Sequence, residues 1–429
     1  MSLIKKLVLS WLAISTFSGL LYAQNLPYSK YGLGTLYDPE FTNLRSWGGL
    51  SAAFHSPFSI NFANPASYSD IKLATLDAGA FVSLLRLNTV DTAVSFADGS
   101  VANLAMGFPL IKNKAGISIG ISPYSRVSYS ITQENDSSAA FGRSFNLFQG
   151  DGGLYRFYLG GGYKYKALSF GINASYLFGT IDYTDILAFP ETLNAFNTRR
   201  QEYRRLGDFL FDGGVQYRIG FGKEKLYFLD LGVAGNLQTD IRATRDLIYD
   251  RFTYTDNAGN SISSVNPLDT IFSALDEKGQ VTIPGAISAG AIFSKQYHYS
   301  VGANFKYTMW SNFKSFGESD QTSDTWKFSL GSEFIPDYKS YQQYWKVISY
   351  RAGISYGQNY VDINDNKLRQ FTASVGAGLP LRRSFSQVSL AAEWLHIGFL
   401  NDNPVTASYF RLTAGFTFND KWFQKRKFD

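Results

Sequence analysis

The chain has 429 residues and no cysteine. That removes disulfides, thiolate metal sites and a cysteine nucleophile, and leaves cysteine usage silent about redox compartment. No cysteine follows the apolar N-terminal run, so that run does not lead to a lipid anchor. Only His55, His298 and His396 supply imidazole, and their wide separation argues against a metal cluster or a histidine-based triad, so an enzyme is not expected. Charged residues make up only 17%, against roughly a quarter in average soluble domains. The net charge of +5 is mild, and its basic residues are scattered rather than drawn into one stripe, which excludes a nucleic-acid footprint. After residue 23 there is no apolar run of about 18 residues, the length a membrane-spanning helix needs.

What is present points to a wall of strands. Met1–Lys6 is a short basic start, Leu7–Leu21 is apolar, and Leu21-Tyr22-Ala23 ends in a small residue, so residues 1–23 read as an export signal. Aromatics reach 17% and glycine numbers 39, at a mean hydropathy of −0.13. That balance fits a transmembrane β-barrel, whose strands alternate lipid-facing apolar and lumen-facing polar residues. Phe410–Phe418 alternates strictly, and so do Val301–Trp310, Trp326–Phe334, Tyr350–Gly357, Phe371–Leu379 and Leu168–Tyr176. About fourteen such segments are expected, an even number that returns the chain to the side where it began. They begin near Leu73, Val101, Ala115, Leu154, Leu168, Leu206, Leu226, Pro284, Tyr299, Thr325, Trp345, Leu368, Phe385 and Ala407.

Short connections at Lys112–Lys114, Lys164–Ala167, Phe221–Lys225, Ser294–Tyr297, Pro336–Tyr344 and Pro380–Ser384 read as periplasmic turns. Longer ones, notably Glu134–Gly153, Asp185–Arg205 and Asp240–Val281, read as outer loops. The barrel is expected over 71–419 and a periplasmic tail, containing Lys425-Arg426-Lys427, over 420–429.

Residues 24–70 are punctuated by Gly, Pro, Asn and Ser too often for a regular element, yet carry Trp47, Phe54, Phe58 and Phe62. A loop-rich segment with that aromatic content needs burial, so it reads as a plug in the lumen, and its aromatics are the candidate contacts for a hydrophobic ligand. Trp47-Gly48-Gly49 and Asn64-Pro65-Ala66 are its motifs. Pro109 and Pro123 fall inside the second and third strands, where a missing N–H requires a bulge, a break or a strand end, and they mark a candidate lateral gate. Lys306, Lys327, Glu333, Arg351, Glu393 and Arg411 fall on polar strand faces and are expected to face the lumen. Glu393 and Arg411 are equidistant from Asp402, so a symmetric hairpin sets them opposite each other as a cross-strand ion pair. Tyr124, Tyr129, Trp310, Trp345 and Trp394 are expected in the interfacial aromatic belts.

These motifs resemble the long-chain fatty-acid transporter (FadL) family of outer-membrane proteins. Trp47–Ala53 and Asn64-Pro65-Ala66 match its glycine-rich and Asn-Pro-Ala hatch motifs, Pro284–Gly290 its proline-led strand, Ser329–Phe334 its glycine-x-glutamate-aromatic strand and Tyr350–Tyr356 its arginine strand. The order spans the whole mature chain; the departure is His55-Ser56-Pro57-Phe58-Ser59, where the family commonly has an acidic stretch. The resemblance implies an all-β, antiparallel barrel of fourteen strands around a plug, in the Gram-negative outer membrane with both termini periplasmic, and no cofactor or metal. It implies passage of hydrophobic, fatty-acid-like small molecules, with lateral exit at a kinked third strand. Its partners would then be membrane lipids and that ligand. The alternative is a non-transporting barrel of the same type, a subunit of a secretion or outer-membrane assembly complex with other envelope proteins as partners.

Overall fold

A computed structural model of the chain describes residues 27–89, 93–138, 142–190, 196–222, 226–256, 262–363, 366–398 and 405–421. The export signal, plug residues 24–26, the 401–403 turn and the tail from residue 422 lie outside the described residues.

The strands are β1 (Thr35–Leu36), β2 (Ala74–Thr89), β3 (Ala93–Ile111), β4 (Ala115–Ser138), β5 (Gly142–Tyr165), β6 (Leu168–Ala188), β7 (Asn197–Phe221), β8 (Tyr227–Asn236), β9 (Thr239–Asp256) and β10 (Ile262–Ile283). They continue with β11 (Ala286–Lys295), β12 (Tyr299–Thr308), β13 (Lys314–Ser315), β14 (Glu318–Ser319), β15 (Thr325–Phe334), β16 (Ser349–Ile363), β17 (Asn366–Pro380), β18 (Gln387–Ile397) and β19 (Val405–Asp420). One helical turn, α1 (Thr42–Arg45), and 3-10 turns at Pro27–Lys30 and Pro65–Asp70 lie in the N-terminal segment.

Every pairing is antiparallel, and β19 closes on β2 from Val405↔Thr89 to Asp420↔Ala74. β8 runs into β9 across Leu237–Gln238, and β10 into β11 across Pro284–Gly285, so each pair is one kinked stave of a closed 14-strand barrel. All fourteen expected segments are staves. Both ends of the wall, Ala74 and Asp420, meet at the end that carries the tight turns, three of which place Asn113, Lys166 and Tyr297 at positive φ.

The long connections are a different matter. Glu134–Gly153, Asp185–Arg205 and Asp240–Val281 are largely strand, and β4 to β7 and β9–β10 run far past the apolar belt. The belt shows where sequence alternation stops being informative. Within it the outward residues are apolar, such as Phe170 and Ile172 on β6, Val301 and Phe305 on β12, and Leu412 and Phe416 on β19. Beyond it the polarity inverts: Asp151, Asp182 and Arg205 face outward while Leu154, Leu177, Ile181 and Leu206 are buried inside.

Pro109 and Pro123 both coincide with register shifts, at Pro109/Ile111 and Pro123/Ser125. The shift after Pro123 also corrects an expectation. Tyr129 is buried and Tyr124 packs against the inner cluster, so neither belongs to the outer belt. Trp310 is likewise buried, because β12 ends at Thr308 and the chain turns inward through a 3-10 turn, Trp310–Asn312. Trp345 and Trp394 are exposed, as a belt requires.

Candidate functional site

The N-terminal segment from Pro27 to Lys72 touches inner-face residues of strands on all sides, and glycine makes that approach possible. Gly48 has φ +70, and a Cβ there would stand 2.9 Å from the Leu330 carbonyl oxygen. On the wall, a Cβ at Gly331 or Gly353 would collide with the backbone of Trp47 or Gly48. The Asn-Pro-Ala motif rests on Gly171 and Gly214 in the same way. Asn64 is extended (φ −138), accepts from Ala66 N at 3.1 Å and caps the 3-10 turn that begins at Pro65.

Polar inner-face side chains then satisfy the segment's backbone, which buried peptide groups require. Ser374 Oγ accepts from Gly48 N (3.1 Å) and Asn304 Oδ1 from Ala52 N (3.2 Å). Gln216 donates to the Ala52 and Phe54 carbonyls, Asn173 to Phe62, and Asn419 to Phe58.

Charge joins segment to wall at three places. Lys327 donates to Asp38 at 2.9 Å. Arg45 lies 3.7 Å from Glu393. His55 sits between Asp70 and Asp230, 3.1 Å from each, and these carboxylates also hold Lys164 (2.7 Å) and Arg218 (2.6 Å). Burial pulls the His55 pKa down, but the two carboxylates outweigh it and raise it above its ordinary value. Burial pulls Asp70 up, yet His55 and Lys164 hold its carboxyl well below the usual range. Lys327 and Lys306 likewise hold the Asp38 carboxyl below the usual range. Glu393 and Arg411 are register partners as expected, but the ion pair is not between them: Glu393 turns to Arg45, and Arg411 lies over the Phe81 ring at 4.6 Å.

Three cavities flank the segment. One of about 970 Å³ at the turn end is lined by Trp47, Phe54 and Phe58 together with Phe385, Glu333 and Arg351. Phe62 is not part of that group; it faces a cavity of about 170 Å³ with Tyr37, Tyr124 and Arg156. Lys306, Lys327, Glu393 and Arg411 meet Asp38 and Arg45 in a third, of about 210 Å³, which Leu36, Trp310, Tyr360 and Leu395 also line. Above it the inner face is an apolar tier, continuous from Leu85 and Val127 through Leu177, Ile181 and Leu210 to Val361, Ile397 and Tyr409.

The wall lacks rungs at the β3–β4 seam. The β3–β4 ladder ends at Leu104↔Ile121, although β3 continues against β2 and β4 against β5. Exposed Val101, Leu104 and Ile121 place this seam in the apolar belt. Pro123 stands just beyond the last rung, whereas Pro109 lies near the turn end, so the two prolines mark different places. Sequence reasoning missed His55, Asp70 and Asp230 as a group, because the first two stand apart in the irregular N-terminal segment and the third on β8. Among the described residues no group of three or more His, Cys, Asp and Glu suits a metal ion.

The family model described as BamG matches residues 3–429. None of the curated proteins compared matches the chain in sequence. Among solved structures, a Pseudomonas aeruginosa FadL homologue is similar at TM-score 0.60 and 12% identity, covering 90% of this chain and 99% of that one. The CymD monoaromatic hydrocarbon channel follows at 0.57 and 13%, covering 92% and 100%. The Ralstonia pickettii toluene transporter TbuX follows at 0.55 and 14%, covering 89% and 98%. At such identities the likeness is one of fold.

Proposed function

The chain belongs to the BamG family, and from that premise we propose that it is an outer-membrane channel for hydrophobic small molecules, plugged by residues 24–70 and releasing its cargo sideways. The observation that carries this reading is the apolar inner tier at the loop end, against which Tyr28 and Leu33 of the N-terminal segment pack. A watery pore has no use for such a lining, while an apolar molecule arriving from outside partitions into it. The β3–β4 seam at belt height supports lateral exit, since direct passage into lipid spares the molecule a second transfer through water. The names of the similar structures, hydrocarbon and toluene channels, agree with this cargo class. Trp47, Phe54 and Phe58 fit contacts on the turn-end side, and Phe62 fits one beside the seam. The test is uptake of a panel of hydrophobic compounds by cells expressing the intact chain, with a Pro123→Ala form alongside. Raised uptake of apolar but not polar compounds is expected.

A second reading, a subunit of an outer-membrane complex, draws on β10. Leu268, Ile271 and Leu275 are exposed there at three register shifts beyond the belt, where neighbouring strands show polar outer faces. Absence of uptake together with stoichiometric co-purification of an envelope complex would replace the first reading by this one.

A further inference from the structure

Above Leu104↔Ile121 the edge of β4 that β3 abandons is occupied by the N-terminal segment. Ser29 Oγ donates to the Ser128 carbonyl (3.0 Å) and accepts from Ser128 N (3.2 Å). β1 then forms a short antiparallel ladder with β4, Thr35↔Arg126 and Leu36↔Ser125, and Tyr37 N donates to the Tyr124 carbonyl at 3.0 Å. Gly34, at φ +88, allows the approach: a Cβ there would collide with the Arg126 carbonyl. An unpaired strand edge in a bilayer is costly, so this segment supplies what β3 does not. An ion pair crosses the gap from wall to wall: Arg126 Nη1 lies 3.1 Å from Asp98 Oδ1, the Asp98 side chain almost fully buried and Arg126 about one-third exposed. On the β2 side Tyr37 packs against Phe81, ring centroids 5.8 Å apart.

We propose that Ser29–Tyr37 is a surrogate strand that closes the barrel wall between β3 and β4, and that Asp98–Arg126 is the latch holding it shut. Plug and lateral gate are then one device: movement of the N-terminal segment removes the ladder on β4 and opens the seam to lipid. This rests on the channel reading for its purpose, but the closure itself does not depend on cargo.

Because the chain has no cysteine, a Leu36→Cys/Ser125→Cys pair on directly opposed positions gives a clean lock. Oxidised in cells, the locked barrel is expected to lose at least about tenfold in hydrophobic uptake, with recovery on reduction. Arg126→Gln and Asp98→Asn should each raise uptake by about threefold, in keeping with a half-screened ion pair, and the charge reversal Asp98→Arg/Arg126→Asp should restore the original rate. Equal uptake by oxidised and reduced forms overturns the surrogate strand while leaving the channel reading intact. If no form transports, the channel reading fails, and labelling decides the closure. Ser125→Cys in vesicles should react with a membrane-dissolved maleimide at least about fivefold faster when Arg126→Gln is added, and equal rates would overturn the latch.

Discussion

The two tiers of this barrel are built from the same strands on opposite plans. In the turn-end tier the staves are apolar outside and polar inside, and what fills them is a segment of backbone held by Asn173, Gln216, Asn304, Ser374 and Asn419. In the loop-end tier the staves are polar outside and largely apolar inside, and they are tied laterally by charge, part of it buried among those apolar residues. Glu202, 1% exposed, takes Arg200 and Arg204 and lies 3.9 Å from Arg245; Arg199 holds Asp250, and Arg251 holds Asp269. One tier faces lipid and the other water, and the change of solvent inverts the pattern within a single strand.

The largest effect should follow Glu202→Ala. Removing the buried carboxylate leaves Arg204 without an acidic partner, while Arg200 keeps Asp185 and Arg245 keeps Glu277, at a cost of about 3 kcal/mol. The loop-end tier of β7 and β9 should become protease-sensitive while the belt keeps its heat-modifiable fold. Loss of the whole barrel would show that the tiers are not separable.

Gly353→Ala tests the other tier. The added methyl meets the Gly48 backbone, an overpacking worth about 1–3 kcal/mol. It should expose the N-terminal segment to proteolysis without disturbing the Glu202 cluster.

A smaller and pH-dependent effect concerns His55. Its raised pKa means that its contribution is fully present below the unfolded value of about 6.5 and is lost as pH rises through the folded value. The lowered pKa of Asp70 has the opposite sense, with stability present above about 3.9 and lost as pH falls through the folded value. The segment should therefore be held most firmly between these limits and loosen on the alkaline side. Protease release of the segment between pH 6 and 10 measures this, and His55→Gln should flatten the profile.

Smallest of all is Lys327→Met. Asp38 and Lys327 are both open to lumen water, so their pair is worth at most about 1 kcal/mol, and no change in barrel melting beyond that is expected.

The same inversion explains what the sequence made legible. All fourteen staves could be read because alternation is strict where one face meets lipid, as in Phe410–Phe418. The expected starts at Val101, Leu154, Leu206 and Pro284, however, fall inside staves that begin at Ala93, Gly142, Asn197 and Ile262. Alternation failed at Asp240–Val281, where apolar residues move to the inner face and bulges at Leu268, Ile271 and Leu275 break the period of two. Glu393↔Arg411 was legible as register, but its ion pairing was not, because the competitor Arg45 comes from the N-terminal segment. Tyr129 was misplaced for a local reason: one extra residue after Pro123 turns the following side chains to the other face. The seam had no sequence signal beyond Pro123, since a missing ladder is a property of two strands together.

Flux in reconstituted vesicles tests the channel most directly. A hydrophobic fluorophore whose emission distinguishes bilayer from enclosed water is added outside vesicles containing the full chain. Faster arrival in the bilayer than in protein-free vesicles, with the gain lost in the oxidised Leu36→Cys/Ser125→Cys form, is the expected result. Arrival no faster than in protein-free vesicles, or delivery into the enclosed water that the lock leaves untouched, would contradict lateral release through a plugged channel.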